Sequence, residues 1–194
     1  AAIVTGSQDG IKADQGGDGA LSITSSGAVT GNGGYGIYAA SMGKDLTIDA
    51  ADVTGSSSGI KADQGGDGAL TITSSFAVEG TNGYGIYAQS TGAGLTIIAA
   101  DVTGSSSAIK ATNNGPGDLS ITSTGTVVGA DDYGIFAYNS SDDADLSIIA
   151  AIVTGSQDGI RADQGGDGAL SIRSTGAVEG TNGYGIYAQS TGAG

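Results

Sequence analysis

The sequence predicts an all-β protein: a parallel β-solenoid of about eight coils, with three short strands in each coil of about 24–25 residues. Three observations predict it. Short apolar motifs recur in fixed order at near-constant spacing. Within each motif apolar and polar residues alternate, which is the period of a half-buried strand. The segments between the motifs are rich in Gly, Asp, Asn and Ser, which is turn chemistry.

The first strand of each coil is a Val-x-Gly motif, at Val4, Val29, Val53, Val78, Val102, Val127, Val153 and Val178, in steps of 25, 24, 25, 24, 25, 26 and 25 residues. The second is Ile-x-Ala, at Ile11, Ile37, Ile60, Ile86, Ile109, Ile135, Ile160 and Ile186. The third is Leu-[Ser/Thr]-Ile, at Leu21, Leu46, Leu70, Leu95, Leu119, Leu146 and Leu170. Each motif is too short for a helix. Coils stacked at the inter-strand spacing of about 4.8 Å make a rod about 38 Å long. A right-handed coil is expected, because about 98% of parallel crossovers have that hand.

Two kinds of coil alternate, so the full repeat is a pair of 49 residues, as from Val4 to Val53 to Val102. Residues 150–172 copy 1–23 except for Arg161 in place of Lys12, and residues 178–194 are identical to 78–94. The pattern runs to both ends without a divergent capping coil. This predicts one array over residues 1–194 and a segment of a longer repeat protein.

Composition alone points elsewhere. Leu, Ile, Val and Phe supply only 37 of 194 residues and the net charge is −14, a balance common in disordered chains. Periodic placement resolves the conflict, because each coil covers the thin core of the next. Without His or Cys the chain lacks imidazole bases, thiol nucleophiles and the usual zinc ligands. Its acidity disfavours nucleic acid and anionic lipid as partners. No apolar run is long enough for membrane insertion of this segment. Nothing in the sequence calls for a cofactor.

The outward position of Ile-x-Ala carries Lys12, Tyr38, Lys61, Tyr87, Lys110, Phe136, Arg161 and Tyr187. Cation and aromatic alternate through all eight coils, and four of the six basic residues lie here. Such a ladder predicts cation–π contacts along the axis, and it is the candidate binding strip for sugars, a partner fibre or a surface. The Asp-Gln-Gly-Gly-Asp-Gly turn places Asp14 with Asp18, Asp63 with Asp67, and Asp163 with Asp167. These pairs are the weak calcium candidates. Two carboxylates fall short of six to eight oxygen ligands, so an ordinary solvated turn is the stronger reading and no metal site is expected.

The outward residue of Leu-x-Ile is always hydroxylic: Ser22, Thr47, Thr71, Thr96, Ser120, Ser147 and Ser171. The next outward column is broken by Asp49, Ile98, Ile149 and Arg173. Strand propensity explains the hydroxyls; an ice-binding array is the minor alternative. Asn139-Ser140-Ser141 fits a glycosylation acceptor. Tyr35, Tyr84, Tyr133 and Tyr184 are expected to cover a corner of the core rather than form a site. Phe76, Ile98 and Ile149 are expected to face outward.

Repeats of Gly-Tyr-Gly-Ile-Tyr-Ala, Leu-Thr-Ile and Val-Thr-Gly, separated by Gly-rich turns, resemble the passenger domains of Gram-negative autotransporter adhesins. The resemblance covers essentially all 194 residues. It implies a pertactin-like right-handed β-helix, cell-surface or extracellular display, and roles in adhesion, aggregation or biofilm. It supplies no shared catalytic residues. That family's signal peptide and C-terminal membrane barrel are not in this stretch.

The resulting expectation is a non-enzymatic extracellular structural or adhesive repeat protein, an adhesin-like stalk or fibre. Its expected partners are itself, end to end or laterally, and a surface glycan or protein. A self-assembling filament or sheath subunit is the alternative, and polysaccharide binding is a minor one. An enzyme needs a singular cluster of groups in a cleft, and here every Asp-rich turn is a copy of another.

Overall fold

The computed structural model describes residues 3–192, and among these there is no helix. All strand pairing is parallel. Equivalent motifs of successive turns lie side by side, so the molecule consists of three columns. The Val column starts with Val4–Gly6 and ends with Val178–Gly180. The Ile column runs from Ile11–Gln15 to Ile186–Ser190 as a separate eight-stranded sheet. The Leu column runs from Leu21–Ser25 to Leu170–Ser174.

The expected count of about eight coils needs adjustment. Seven turns are complete, and the eighth contributes only its Val and Ile strands among the described residues. A second departure from expectation is that the Leu and Val strands fuse into Leu119–Gly129 and Leu146–Gly155, which joins those two columns into one thirteen-stranded sheet. The corner between the columns stays extended here. A register shift between Ser123 and Thr126 takes up the residue by which the two turns differ. Corners thus absorb the alternation of 24 and 25 residues, while the columns keep Ile on Ile and Leu on Leu.

The core is the inner row of each column. Ile60, Ile86, Ile109 and Ile135 have no exposed surface, nor do Leu70, Leu95, Leu119 and Leu146. The second and third strands each bury a further small residue, such as Ala62 and Ala88. Glycine ends each Val strand because the chain doubles back at once. A Cβ on Gly55 or Gly80 would collide with the carbonyl oxygen of Ser58 or Tyr84.

Polar side chains stitch one turn to the next. Asp9 Oδ1 accepts the Tyr35 amide at 2.8 Å, and Asp158 Oδ1 accepts the Tyr184 amide at 2.8 Å. Asp45, Asp101 and Asp145 accept the amides of Ala69, Thr126 and Ala169 in the same way, at 2.9, 2.7 and 2.8 Å. Much of the chain's acidity therefore satisfies backbone N–H groups that the ladder misses at corners.

Candidate functional site

The Ile column places its outward residues in one unbroken row. Lys12 lies beside Tyr38, Tyr38 beside Lys61, Lys61 beside Tyr87 and Tyr87 beside Lys110. Lys110 then pairs with Phe136, Phe136 with Arg161, and Arg161 with Tyr187. All eight positions named from the sequence are thus brought together.

The contacts are cation over ring. Lys12 Nζ is 5.2 Å from the Tyr38 centroid, and Lys61 Nζ is 5.7 and 5.6 Å from Tyr38 and Tyr87. Lys110 Nζ is 5.6 and 5.8 Å from Tyr87 and Phe136, and Arg161 is 5.1 Å from Tyr187. These distances lie within the roughly 6 Å over which ring faces attract cations.

Sequence reasoning missed the second half of the strip. Tyr35, Tyr84, Tyr133 and Tyr184 pack against Tyr38, Tyr87, Phe136 and Tyr187, with centroids 5.6, 5.1, 5.6 and 5.7 Å apart; the second pair is stacked and the others are tilted. Each of the first three also meets a cation of the following turn. Lys61 is 5.8 Å from Tyr35, Lys110 is 5.5 Å from Tyr84, and Arg161 is 5.7 Å from Tyr133. These tyrosines belong to the strip, against the expectation of a simple corner cover. The signal was present: Tyr-Gly-Ile-Tyr turns a tight corner, so rings three residues apart meet.

Carboxylates complete the electrostatics. Lys12 lies 4.0 Å from Asp14, Lys61 lies 3.5 Å from Asp63, and Arg161 Nε lies 3.1 Å from Asp163. Burial alone would lower the Lys61 pKa, but the charge of Asp63, aided by Tyr35 and Tyr38, outweighs it and holds the ammonium above the usual lysine value. The hydrogen bond to Asp163 is the main reason the Arg161 guanidinium is held above its own ordinary value. Three of the weak calcium candidates therefore serve as partners of ladder cations. Among the described residues no group of three or more acidic, His or Cys side chains is arranged to hold a metal ion.

A further inward row escaped the sequence reading. Four residues after Ile37, Ile60, Ile86, Ile109, Ile135 and Ile160 come Ser41, Gln64, Ser90, Asn113, Asn139 and Gln164, all buried. Asn113 donates to Asn139 Oδ1 at 3.1 Å, and Asn139 donates to the carbonyls of Ala144 and Asp145 at 3.2 and 3.1 Å. Gln164 donates to the Ala144 carbonyl at 2.7 Å. Asn139 has 0% exposure, so its glycosylation motif is closed in the folded chain.

The Ser/Thr row of the Leu column is in register throughout, from Ser22 beside Thr47 to Ser147 beside Ser171. Its neighbouring row is interrupted by Ile98 and Ile149, both exposed on either side of Thr122, and Phe76 is exposed as well. No helix among the described residues is long and apolar enough to cross a membrane. Compared with known protein families, curated proteins and solved structures, the chain matches none.

Proposed function

We propose that this chain is a structural and adhesive repeat module of an extracellular or cell-surface protein, a stiff rod that displays the cation–aromatic strip as its contact face. The observation that carries the reading is the strip itself: an alternation of cation and ring without a break over eight turns. A repeated surface of this kind suits avidity on a repetitive partner better than recognition of one small molecule. The resemblance to autotransporter passenger domains supports the same reading and suggests display on a Gram-negative surface. The groups that would make an enzyme are copies along the rod rather than a singular cluster.

Beads coated with the chain test the adhesive part. Attachment to glycan-coated and cell surfaces should fall when Tyr38 and Tyr87 are replaced by Ala, and unchanged attachment refutes the strip as contact face. Deleting residues 53–101 tests the rod. Tyr38 would then lie beside Lys110, the alternation survives, and scattering should report a folded rod shorter by two strand spacings, about 10 Å. Deleting residues 53–77 instead would put Tyr38 beside Tyr87, and that variant should melt at a lower temperature.

A second reading, assembly end to end into a filament, is favoured by one observation. Successive turns pair in the same parallel register all along the rod, and the same backbone pairing would join a turn of one copy to a turn of another. A molecular mass that stays constant over a wide concentration range counts against it.

A further inference from the structure

The outer face of the Leu column differs in charge from the rest of the chain. Its outward residues form two straight rows, because the Leu strands of successive turns pair in register. One row is hydroxylic from Ser22 to Ser171. The other reads Thr24, Asp49, Thr73, Ile98, Thr122, Ile149 and Arg173 from the first turn to the seventh. In a chain of net charge −14, the outward positions of these strands carry one acid and one base and are neutral together. Phe76 and Ile152 extend the face at its corner, each two residues past the aligned positions Ser74 and Ala150. Phe76, Ile98, Ile149 and Ile152 are 58%, 44%, 39% and 46% exposed, which leaves a row of apolar contacts open to a partner.

The order of residues along the second row selects the partner. Asp49 lies in the second turn and Arg173 in the seventh, and both are exposed. Consider a second copy turned end over end about an axis along the strands and laid face to face on the first. Turn two then meets turn seven, three meets six and four meets five. Strand direction is kept, so each row meets itself. Asp49 lies opposite Arg173 of the second copy, and the two-fold axis makes the same pair again at the other end. Between these pairs Ile98 meets Thr122, Thr73 meets Ile149 and, at the corner, Phe76 meets Ile152. A copy laid with its rod in the same direction would instead set Asp49 against Asp49 and Arg173 against Arg173. We infer that the Leu face is the contact of an antiparallel, two-fold dimer of this chain.

The size of the face fits a weak dimer. Six turns at about 4.8 Å and five-residue strands at about 3.3 Å per residue give a patch of about 500 Å² on each copy. The total of about 1,000 Å² is near the lower bound for a specific contact. Two sheets packed this way keep their strands within about 30° of each other and lie about 10 Å apart, a gap that Ile, Phe and Thr side chains fill. The acids elsewhere on the two rods repel each other, and the neutral face is where that repulsion is least. The inference stands apart from the strip, which belongs to the Ile column: rods that attach to nothing through Tyr38 would still pair.

Sedimentation equilibrium of the intact chain from about 1 μM to about 1 mM tests the dimer. The expected result is a monomer–dimer equilibrium with Kd on the order of 10–100 μM and no larger species. Asp49→Arg should weaken it about tenfold or more, and so should Arg173→Asp. The double swap, Asp49→Arg with Arg173→Asp, should restore it, which a loss of fold would not do. Ile98→Thr with Ile149→Thr places in the row the residue it already has at Thr73 and Thr122, and should also weaken the dimer about tenfold. The chain has no Cys, so Thr71→Cys and Ser147→Cys chains can be mixed with a short bismaleimide. Turn three faces turn six in this dimer, so the two variants should couple to each other faster than either couples to itself. A chain that stays single at about 1 mM overturns the inference and leaves the face to a partner of another kind. Pairing that the single charge changes leave intact, or that the double swap does not restore, also overturns it. So does a mass that grows past two copies without a plateau, which would put the contact at the ends of the rod.

Discussion

Lys61→Met removes one charge from the middle of the strip while keeping most of the side chain's length. The Lys61 side chain is 26% exposed, with its ammonium 3.5 Å from Asp63 and 5.6–5.8 Å from three ring centroids. A cation–π contact contributes about 0.5–1 kcal/mol when exposed and about 2 when desolvated. A surface ion pair adds about 0–1 kcal/mol. The contacts share one ammonium and are not additive, so the expected loss is about 1–2 kcal/mol. Lys44→Met, at an exposed lysine outside the strip, should change stability by no more than about 0.5 kcal/mol. Urea unfolding followed by circular dichroism measures both. A cycle with Tyr87→Leu should give a coupling of about 0.5–1 kcal/mol that survives added salt better than the Asp63 contribution. A Lys61→Met chain as stable as the parent, with zero coupling to Tyr87, would refute the view that the strip ties turns together.

Ile86→Ala, between Ile60 and Ile109 and without exposed surface, should lower unfolding free energy by about 2–5 kcal/mol, read from the urea midpoint. Asn139→Ala strips partners from the carbonyls of Ala144 and Asp145 and from the Asn113 amide, and should destabilise by about 1–3 kcal/mol in the same assay. Asn182→Ala, at an exposed corner, should stay within about 0.5 kcal/mol. The raised Lys61 pKa sets the sign of a pH effect. Its stabilisation is complete below the unfolded lysine value near 10.4 and is lost as pH rises through the higher folded value. Melting temperature measured from pH 8 to about 12 should therefore fall less steeply at the alkaline end in Lys61→Met than in the parent.

The columns and the strip were legible because both are set by period-two alternation within a strand and by the repeat between strands. Lys12, Tyr38 and Lys61 fall in line as soon as Ile11, Ile37 and Ile60 are aligned. The polar inner row was not legible. A Gln or Asn beside glycines reads as a turn, yet Gln64 and Asn113 continue the inward alternation begun by Ile60 and Ile109. What makes that row possible is the carbonyl oxygens at the next corner, such as those of Gly117 and Ala144, which local pattern does not reveal. The roles of Asp45 and Asp145 were hidden for the same reason, because each serves an amide 24 residues away.

The hydrogen bonds that join the turns lie parallel to the rod axis, and this sets how the rod answers a pull on its ends. Tension along the axis loads them one turn at a time, as in opening a zip, rather than all at once as in sliding strands past each other. An end turn has a neighbour on one side only and gives way first. Each turn released exchanges about 4.8 Å of rod for some 85 Å of extended chain, taking 25 residues at about 3.4 Å each. A tether built this way lengthens many times over at nearly constant force while its remaining turns stay folded. Its reach under load is set by the number of turns, and its yield force by the stitches within one.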